Sequence, residues 1–209
     1  GGALLFEDKQ YARVSLCAAV LACVPFFLHF ERKTGSTQTL ILVAAMVALS
    51  VVGRILFTPL PGFKPVTALV VITGMYFGGE AGFMTGALSA VISNFWFGQG
   101  PWTPFQMVSW GLIGFIAGLL ASPLRRSSIL LAVYGLFSGA LFSLLMDTWT
   151  VLWQDGYFNL SRYWGYVLSS LPWMAVYALS NVIFLLLFTP LVGKVLERIK
   201  TKYGLQGRR

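Results

Sequence analysis

The chain has 209 residues, of which 57% are hydrophobic and only 11% are charged, and its mean hydropathy is +0.76. Soluble domains carry about 25% charged residues, so this composition excludes an ordinary soluble protein and predicts an all-α integral membrane protein. The net charge of +8 is concentrated between and after apolar stretches, a distribution that the positive-inside rule explains without a nucleic-acid partner.

Apolar stretches separated by glycine, proline and charged residues predict seven membrane-spanning helices. In chain order they cover residues 11–30, 39–57, 63–77, 80–97, 104–121, 128–152 and 164–191. We expect the sequence around Pro123 to end the fifth helix, and Pro172 to kink or break the last one. The chain then divides into a leader with an extra span (residues 1–38), a six-helix core (39–193) and a basic tail (194–209).

The distribution of lysine and arginine predicts the orientation in the membrane. With the C-terminal tail in the cytoplasm, ten of the 15 basic residues lie inside. The five on the outer side are Lys9, Arg13, Arg54, Lys64 and Arg162. This excess agrees with the positive-inside rule. The loops at 58–62, 94–107 and 154–163 then lie together at the outer face.

The stretch at residues 94–107, NFWFGQGPWTPFQM, is the most distinctive part of the chain. Its glycines and prolines prevent a continuous helix, and it contains no charged residue. Amides stand beside large aromatic rings, a combination typical of a pocket for a partly apolar ligand. The alternative for each tryptophan is an aromatic belt that faces lipid headgroups. We interpret the stretch as the lip of a binding pocket.

One acidic residue and three pairs of small residues stand out within the spans. Asp147 is an ionisable group in a membrane segment, where it could receive a ligand donor or pair with Arg54. Small residues four apart let helices approach closely. They occur at Ala44 and Ala48, Gly82 and Gly86, and Gly114 and Gly118. The glycine pairs favour packing within the chain, whereas the alanine pair fits internal packing and a partner contact equally well.

The motifs of several enzyme classes are missing from the sequence. There is no G-x-x-x-x-G-K-[ST] motif for nucleotide hydrolysis and no H-E-x-x-H zinc motif. No paired acidic motif suggests metal-dependent transfer chemistry. The sequence therefore predicts no catalytic residue, no metal site and no cofactor.

Residues 63–120, together with the Ala44-x-x-x-Ala48 pattern, resemble the substrate-binding S component of energy-coupling-factor (ECF) vitamin transporters. The run GQGPWTP at 98–104, the following Gln106 and the glycine-rich helix after it are similar to the branch that includes the cobalamin-specific S component. This resemblance implies a bacterial ABC importer of the cell membrane, in which the chain binds its vitamin from outside. It also implies docking on a T component with two cytoplasmic ATPases, which hydrolyse the ATP. In the family, an alanine motif contacts the T component, and Ala44 and Ala48 match this motif.

The resemblance favours cobalamin as the transported ligand. Its flat corrin suits aromatic rings and its amides suit asparagine or glutamine, while Lys64 is an isolated cation that could meet the nucleotide-loop phosphate. The predicted ligand-binding residues are Asn94, Phe97, Gln99, Trp102, Gln106, Asp147, Trp149, Trp153 and Lys64. Three alternatives stay open: another vitamin or precursor in the same transporter class, a membrane enzyme that acts on lipid, and a scaffold that binds no small molecule.

Overall fold

The structure, a computed structural model, describes residues 17, 20–25, 27–28 and 37–202. The expected leader at 1–10, most of the extra span and the end of the basic tail lie outside the described residues. Residues 37–202 form helices without any strand, as the sequence predicts. The helices are α1 (Thr37–Leu56), α2 (Val66–Phe77), α3 (Gly79–Phe97), α4 (Thr103–Leu119), α5 (Ala121–Arg126), α6 (Ser128–Asp155) and α7 (Leu160–Lys202).

Three of the described helices, α1, α6 and α7, are long and apolar enough to cross a membrane. Helices α2 and α4 are apolar but shorter, at 12 and 17 residues. Helix α3 has 19 residues, but its glycines, serines, Glu80 and Asn94 make it less apolar. The length of α6 follows from its ends. Ser127 caps the first turn by accepting from the Leu130 N–H, and Gly156 adopts the left-handed conformation that terminates helices.

The prolines interrupt the helices less than expected. The fifth span does end close to its expected boundary, since α4 ends at Leu119, but the residues around Pro123 form the short helix α5, because proline is compatible with a first helical turn. The alternative of a break at Pro172 is wrong, because α7 runs as one helix through both Pro172 and Pro190. A proline removes one backbone hydrogen bond, and the packing of α7 along α6 on both sides of it maintains the helix. The helix also extends to Lys202, beyond the expected end at 191.

Helix α2 lies at the centre of the bundle. Every residue from Val66 to Tyr76 is buried, which explains why this helix has no polar face. It packs against α3, α4 and α7. A fully buried helix of this kind needs partners on all sides, so the other helices are organised around it.

Glycines bring α2, α3 and α4 into close contact. A Cβ on Gly82 would lie 2.4 Å from the carbonyl oxygen of Gly114, and a Cβ on Gly114 would lie 2.4 Å from that of Gly82. A Cβ on Gly74 or on Gly118 would lie 2.2 Å from a backbone atom of a neighbouring segment. The structure thus confirms that the glycine pairs serve internal packing.

The loops divide between two ends of the bundle. The α1–α2, α3–α4 and α6–α7 loops (residues 57–65, 98–102 and 156–159) share one end, which we call the loop end. At the opposite end, the Lys200 ammonium donates to the carbonyl oxygen of Tyr76 at 2.9 Å. Arg125 there contacts both the Tyr76 ring and Glu197. These contacts fasten the end of α7 to α2 and α5.

The described part of the leading segment packs on the outside of α3 and α4. Cys23 is buried with Phe83 and Ala87, and Phe27 packs against the same cluster. Phe27 also contacts the cluster that α1 and α3 form around Val43. The described residues of the leading segment therefore cover part of the surface of α3.

Candidate functional site

A buried arginine anchors the polar network at the loop end. Arg54 lies in the last turn of α1, where the helix dipole favours a cation, and its side chain is only 9% exposed. Its Nη1 donates to the hydroxyl of Ser93 and, at 2.9 Å, to the Oδ1 of Asn94. Both acceptors belong to α3, so the contact joins two helices that are far apart in sequence.

The network continues from Asn94 into the α3–α4 loop. The Nδ2 of Asn94 donates to the hydroxyl of Thr103 at 2.9 Å and to the Oε1 of Gln106 at 2.8 Å. Thr103 in turn donates to the Oε1 of Gln99 at 3.0 Å, and the Nε2 of Gln99 donates to the carbonyl oxygen of Val91 at 2.8 Å. Asn94 and Gln99 therefore hold the shape of this loop.

A cavity of about 120 Å³ lies beside this network. Helices α1, α2, α4, α6 and α7 and the α1–α2 loop all contribute to its wall. The lining residues are Arg54, Gly62, Lys64, Val66, Thr67, Gln106, Trp110, Phe142, Tyr177 and Asn181. Pockets for drug-sized ligands measure roughly 300–1,000 Å³, so this cavity has room for only part of such a molecule.

Two cations meet at the cavity around one aromatic ring. The guanidinium carbon of Arg54 lies 4.5 Å from the centre of the Phe97 ring, and the ammonium nitrogen of Lys64 lies 4.6 Å from it. Arg54 also lies over Trp110 at 5.1 Å. The expectation that Lys64 is an isolated cation is therefore wrong, because folding places it next to an arginine ten residues earlier in the chain.

The backbone of Lys64 is fixed by α7. Its N–H donates to the hydroxyl of Ser180 at 2.9 Å, and that hydroxyl donates back to the carbonyl oxygen of Lys64 at 3.2 Å. Burial, and then the positive charge of Arg54, lower the pKa of the Lys64 ammonium below its ordinary value. The side chain is thus positioned in an environment that favours an anionic partner.

Three tryptophans form a cluster above the cavity. Trp102 meets Trp149 edge to face with ring centres 6.1 Å apart, and Trp149 stacks on Trp153 at 6.1 Å. Trp102 precedes the cavity residue Gln106 by four positions, and Trp149 follows the cavity residue Phe142 by two helical turns. Residues at these spacings share a helix face, so the tryptophan cluster continues the cavity walls toward the loop end.

The structure separates the predicted site residues into groups. Lys64 and Gln106 line the cavity, and Phe97 lies against its two cations. Asn94 and Gln99 belong to the network behind it. Trp102, Trp149 and Trp153 form the tryptophan cluster.

Asp147 lies near the cavity without lining it, since its charge acts on the cavity residue Tyr177. It accepts a hydrogen bond from the hydroxyl of Ser170 at 2.6 Å, and it does not line the cavity. The possible pair with Arg54 is not formed, because Arg54 uses the oxygens of Ser93 and Asn94.

Sequence reasoning did not assign Arg54, Tyr177 and Asn181 to the site. The signal for Arg54 was present, because a single arginine inside an apolar span marks a functional position by default. It was counted as an outer charge and considered as a partner of Asp147, but it was not assigned to the pocket. Tyr177 and Asn181 lie one turn apart on α7 in an ordinary amphiphilic pattern, so nothing in the sequence distinguishes them.

No group of three or more histidine, cysteine, aspartate or glutamate side chains in the described residues could hold a metal ion.

The predicted docking residues Ala44 and Ala48 are both exposed on the outer face of α1. Their neighbours Val43, Met46 and Val47 face the bundle interior.

Comparison with known proteins identifies the family. The chain matches the family described as ECF-type riboflavin transporter, S component, over residues 34–198, which span every complete helix from α1 to α6 and most of α7. No curated protein and no solved structure gave a significant match. The family consists of transporter components rather than enzymes. Since the match covers well over half of the sequence, the chain belongs to the ECF transporter S-component family.

Proposed function

We propose that this chain is the substrate-binding subunit of an ECF-type importer, which captures a vitamin at the loop end and delivers it by docking on a transport module. The observation that carries the proposal is the family match over residues 34–198. The cavity and the tryptophan cluster at one end of the helical bundle support it, since they offer a small polar chamber beneath flat apolar surfaces.

The substrate we favour is cobalamin or a related corrinoid. A corrinoid has a broad ring system for the tryptophan cluster, and its nucleotide loop carries a phosphate that fits the dimensions of the cavity. The whole molecule exceeds a cavity of about 120 Å³, so binding requires the loop end to open. The family description favours a second candidate, riboflavin, whose planar ring would lie against the same tryptophans.

Delivery would use partners that this chain does not contain. We propose that Ala44 and Ala48 contact a membrane-embedded T component, which associates with two cytoplasmic ATPases. Both alanines are exposed, and their small side chains allow close approach of another helix. ATP hydrolysis would occur on the ATPase subunits. In this arrangement the protein lies in the bacterial cell membrane, with the loop end outside and the C-terminus in the cytoplasm, as the distribution of lysine and arginine favours.

Binding to the purified chain in detergent tests the capture step. A panel that contains cobalamin, cobinamide, riboflavin, flavin mononucleotide (FMN), pantothenate and pantothenol is titrated against the isolated protein. We expect saturable binding of at least one compound without any partner subunit. The proposal fails if folded protein binds none of them at micromolar concentration.

Docking is tested separately by uptake into liposomes that contain the chain, the T component and both ATPases. We expect Ala44→Trp to abolish uptake of the bound compound and to leave binding unchanged. Ala175→Trp is the matched control, because Ala175 is also an exposed alanine, on α7. Equal loss of uptake in both variants would exclude a specific docking role for Ala44.

A further inference from the structure

The cavity at the loop end carries an excess of positive charge. Arg54 and Lys64 both line it, and no carboxylate in residues 37–202 forms an ion pair with either. Two carboxylates of that part of the chain pair with other arginines, in Arg125–Glu197 at the opposite end and in Arg162–Asp155 in the α6–α7 region. A buried cation without an acidic partner is costly, so its charge is best explained by a negative group that arrives with a ligand.

Hydrogen-bond directions in the network add a further donor to the cavity. A guanidinium can only donate, so Arg54 forces the Oδ1 of Asn94 to accept. The Nδ2 of Asn94 must then donate, and the Oε1 of Gln106 accepts from it. This fixes the amide orientation of Gln106, whose Nε2 remains as a donor without a protein partner within residues 37–202. Arg54 thus determines which end of Gln106 is available to a ligand.

The other polar groups of the wall can complete the coordination of an anion. The hydroxyl of Tyr177 has no hydrogen-bond partner among the described residues and can donate. Asn181 donates its Nδ2 to the carbonyl oxygen of Gly135 at 3.4 Å, which leaves its Oδ1 as an acceptor for a hydroxyl or amide of the ligand. A cavity of about 120 Å³ corresponds to roughly four water molecules, which suits one phosphate or carboxylate group.

We propose that this cavity is an anion subsite, in which Arg54, Lys64 and the Nε2 of Gln106 bind a phosphate or carboxylate group of the transported molecule. The inference rests on the proposed function, because it assumes that the ligand enters at the loop end. It adds a selection rule: the chain prefers the anionic member of a pair of otherwise similar compounds. The remainder of the ligand lies against the tryptophan cluster.

Pairs of compounds with and without an anionic group test the selection rule. FMN against riboflavin isolates a phosphate group and pantothenate against pantothenol isolates a carboxylate, whereas cobalamin against cobinamide compares corrinoids with and without the whole phosphate-bearing nucleotide loop. For the ring system or scaffold that binds, we expect the anionic member to bind roughly 10- to 100-fold more tightly. Equal or tighter binding of the neutral member overturns the anion subsite, although the proposed function stands. Absence of binding by every compound overturns both.

A variant that removes the charge of Lys64 tests whether the preference for the anionic compound arises in the cavity. Lys64→Gln should reduce the preference for the anionic member about tenfold or more, with little change for the neutral member. Arg126→Gln is the control, since Arg126 is exposed at the opposite end of the bundle. An unchanged preference in Lys64→Gln contradicts the assignment.

Competition by inorganic phosphate on the wild-type chain, at ionic strength matched with chloride, gives a second measurement that needs no variant. If inorganic phosphate does not compete with a ligand that carries a phosphate group, the assignment to the cavity is also contradicted.

Discussion

Replacement of Asn94 by aspartate tests the polarity of the loop-end network without changing its shape. The new carboxylate would keep the 2.9 Å contact with Arg54, but it would now neutralise the cation. Its second oxygen would replace the Nδ2, which now lies 2.8 Å from the Oε1 of Gln106 and 2.9 Å from the Thr103 hydroxyl. Gln106 must then turn to donate its Nε2 to the carboxylate, and its oxygen would face the cavity instead.

The neutralised arginine and the turned Gln106 amide would both lower the affinity for an anionic ligand. A hydrogen bond to a charged group contributes about 1.5–3 kcal/mol, so loss of the Gln106 donor together with neutralisation of Arg54 should cost at least about 2 kcal/mol of binding free energy. This corresponds to a loss of roughly 30-fold in affinity for the anionic compound. The folded state should lose little stability, because the buried arginine gains a paired acid, while Thr103 redirects its hydroxyl hydrogen from Gln99 to the new carboxylate.

Ligand titration and thermal unfolding of the purified variant in detergent measure the two effects. Asn159→Asp provides the matched control, since it makes the same chemical change at the loop end, where Asn159 caps the first turn of α7. We expect this control to bind like the wild type. If Asn94→Asp binds the anionic compound as tightly as the wild type while it remains folded, the reasoning about the network is refuted.

Two further predictions concern packing and pH. Gly114→Ala should destabilise the protein by about 1–3 kcal/mol, because its Cβ would lie 2.4 Å from the backbone oxygen of Gly82, well inside contact distance. Gly165→Ala, which meets nothing within 4 Å, should unfold at the same or a higher temperature, and equal destabilisation of both variants would contradict the close contact. Affinity for the anionic ligand should fall as the pH rises toward the ordinary lysine value, because the lowered pKa of Lys64 lets its ammonium lose its proton earlier. Titrations across pH should show a weaker dependence in Lys64→Gln, and an unchanged dependence would exclude Lys64 as the titrating group.

Much of the helical architecture follows from local sequence. Apolar runs interrupted by glycine, proline and charged residues predict α1 to α4 and α6 within a few residues, since these signals act over a single helical turn. Pro172 shows the limit of such signals. A proline weakens a helix locally, but long contacts between α7 and α6 compensate, and these contacts depend on residues far away in the sequence.

The site was predictable as a region but not in its chemistry. The amides and aromatic rings of residues 94–107 indicated a pocket, and Gln106 and Phe97 do lie at the cavity. Because residues 94–107 are uncharged, the sequence favoured a pocket entrance without charged side chains. The charge comes from Arg54, which reaches Asn94 across 40 positions of sequence. Such a contact depends on how α1 packs against α3, and no local pattern encodes it.

The most direct test is an experimental structure of the chain with its tightest-binding compound from the panel. The account predicts that the anionic group of the ligand lies within about 2.7–3.2 Å of the side-chain nitrogens of Arg54, Lys64 and Gln106. It also predicts that the ring system or apolar part lies against Trp102 and Trp149. A ligand bound at the opposite end of the bundle, or an anionic group that contacts none of these three nitrogens, would contradict the account.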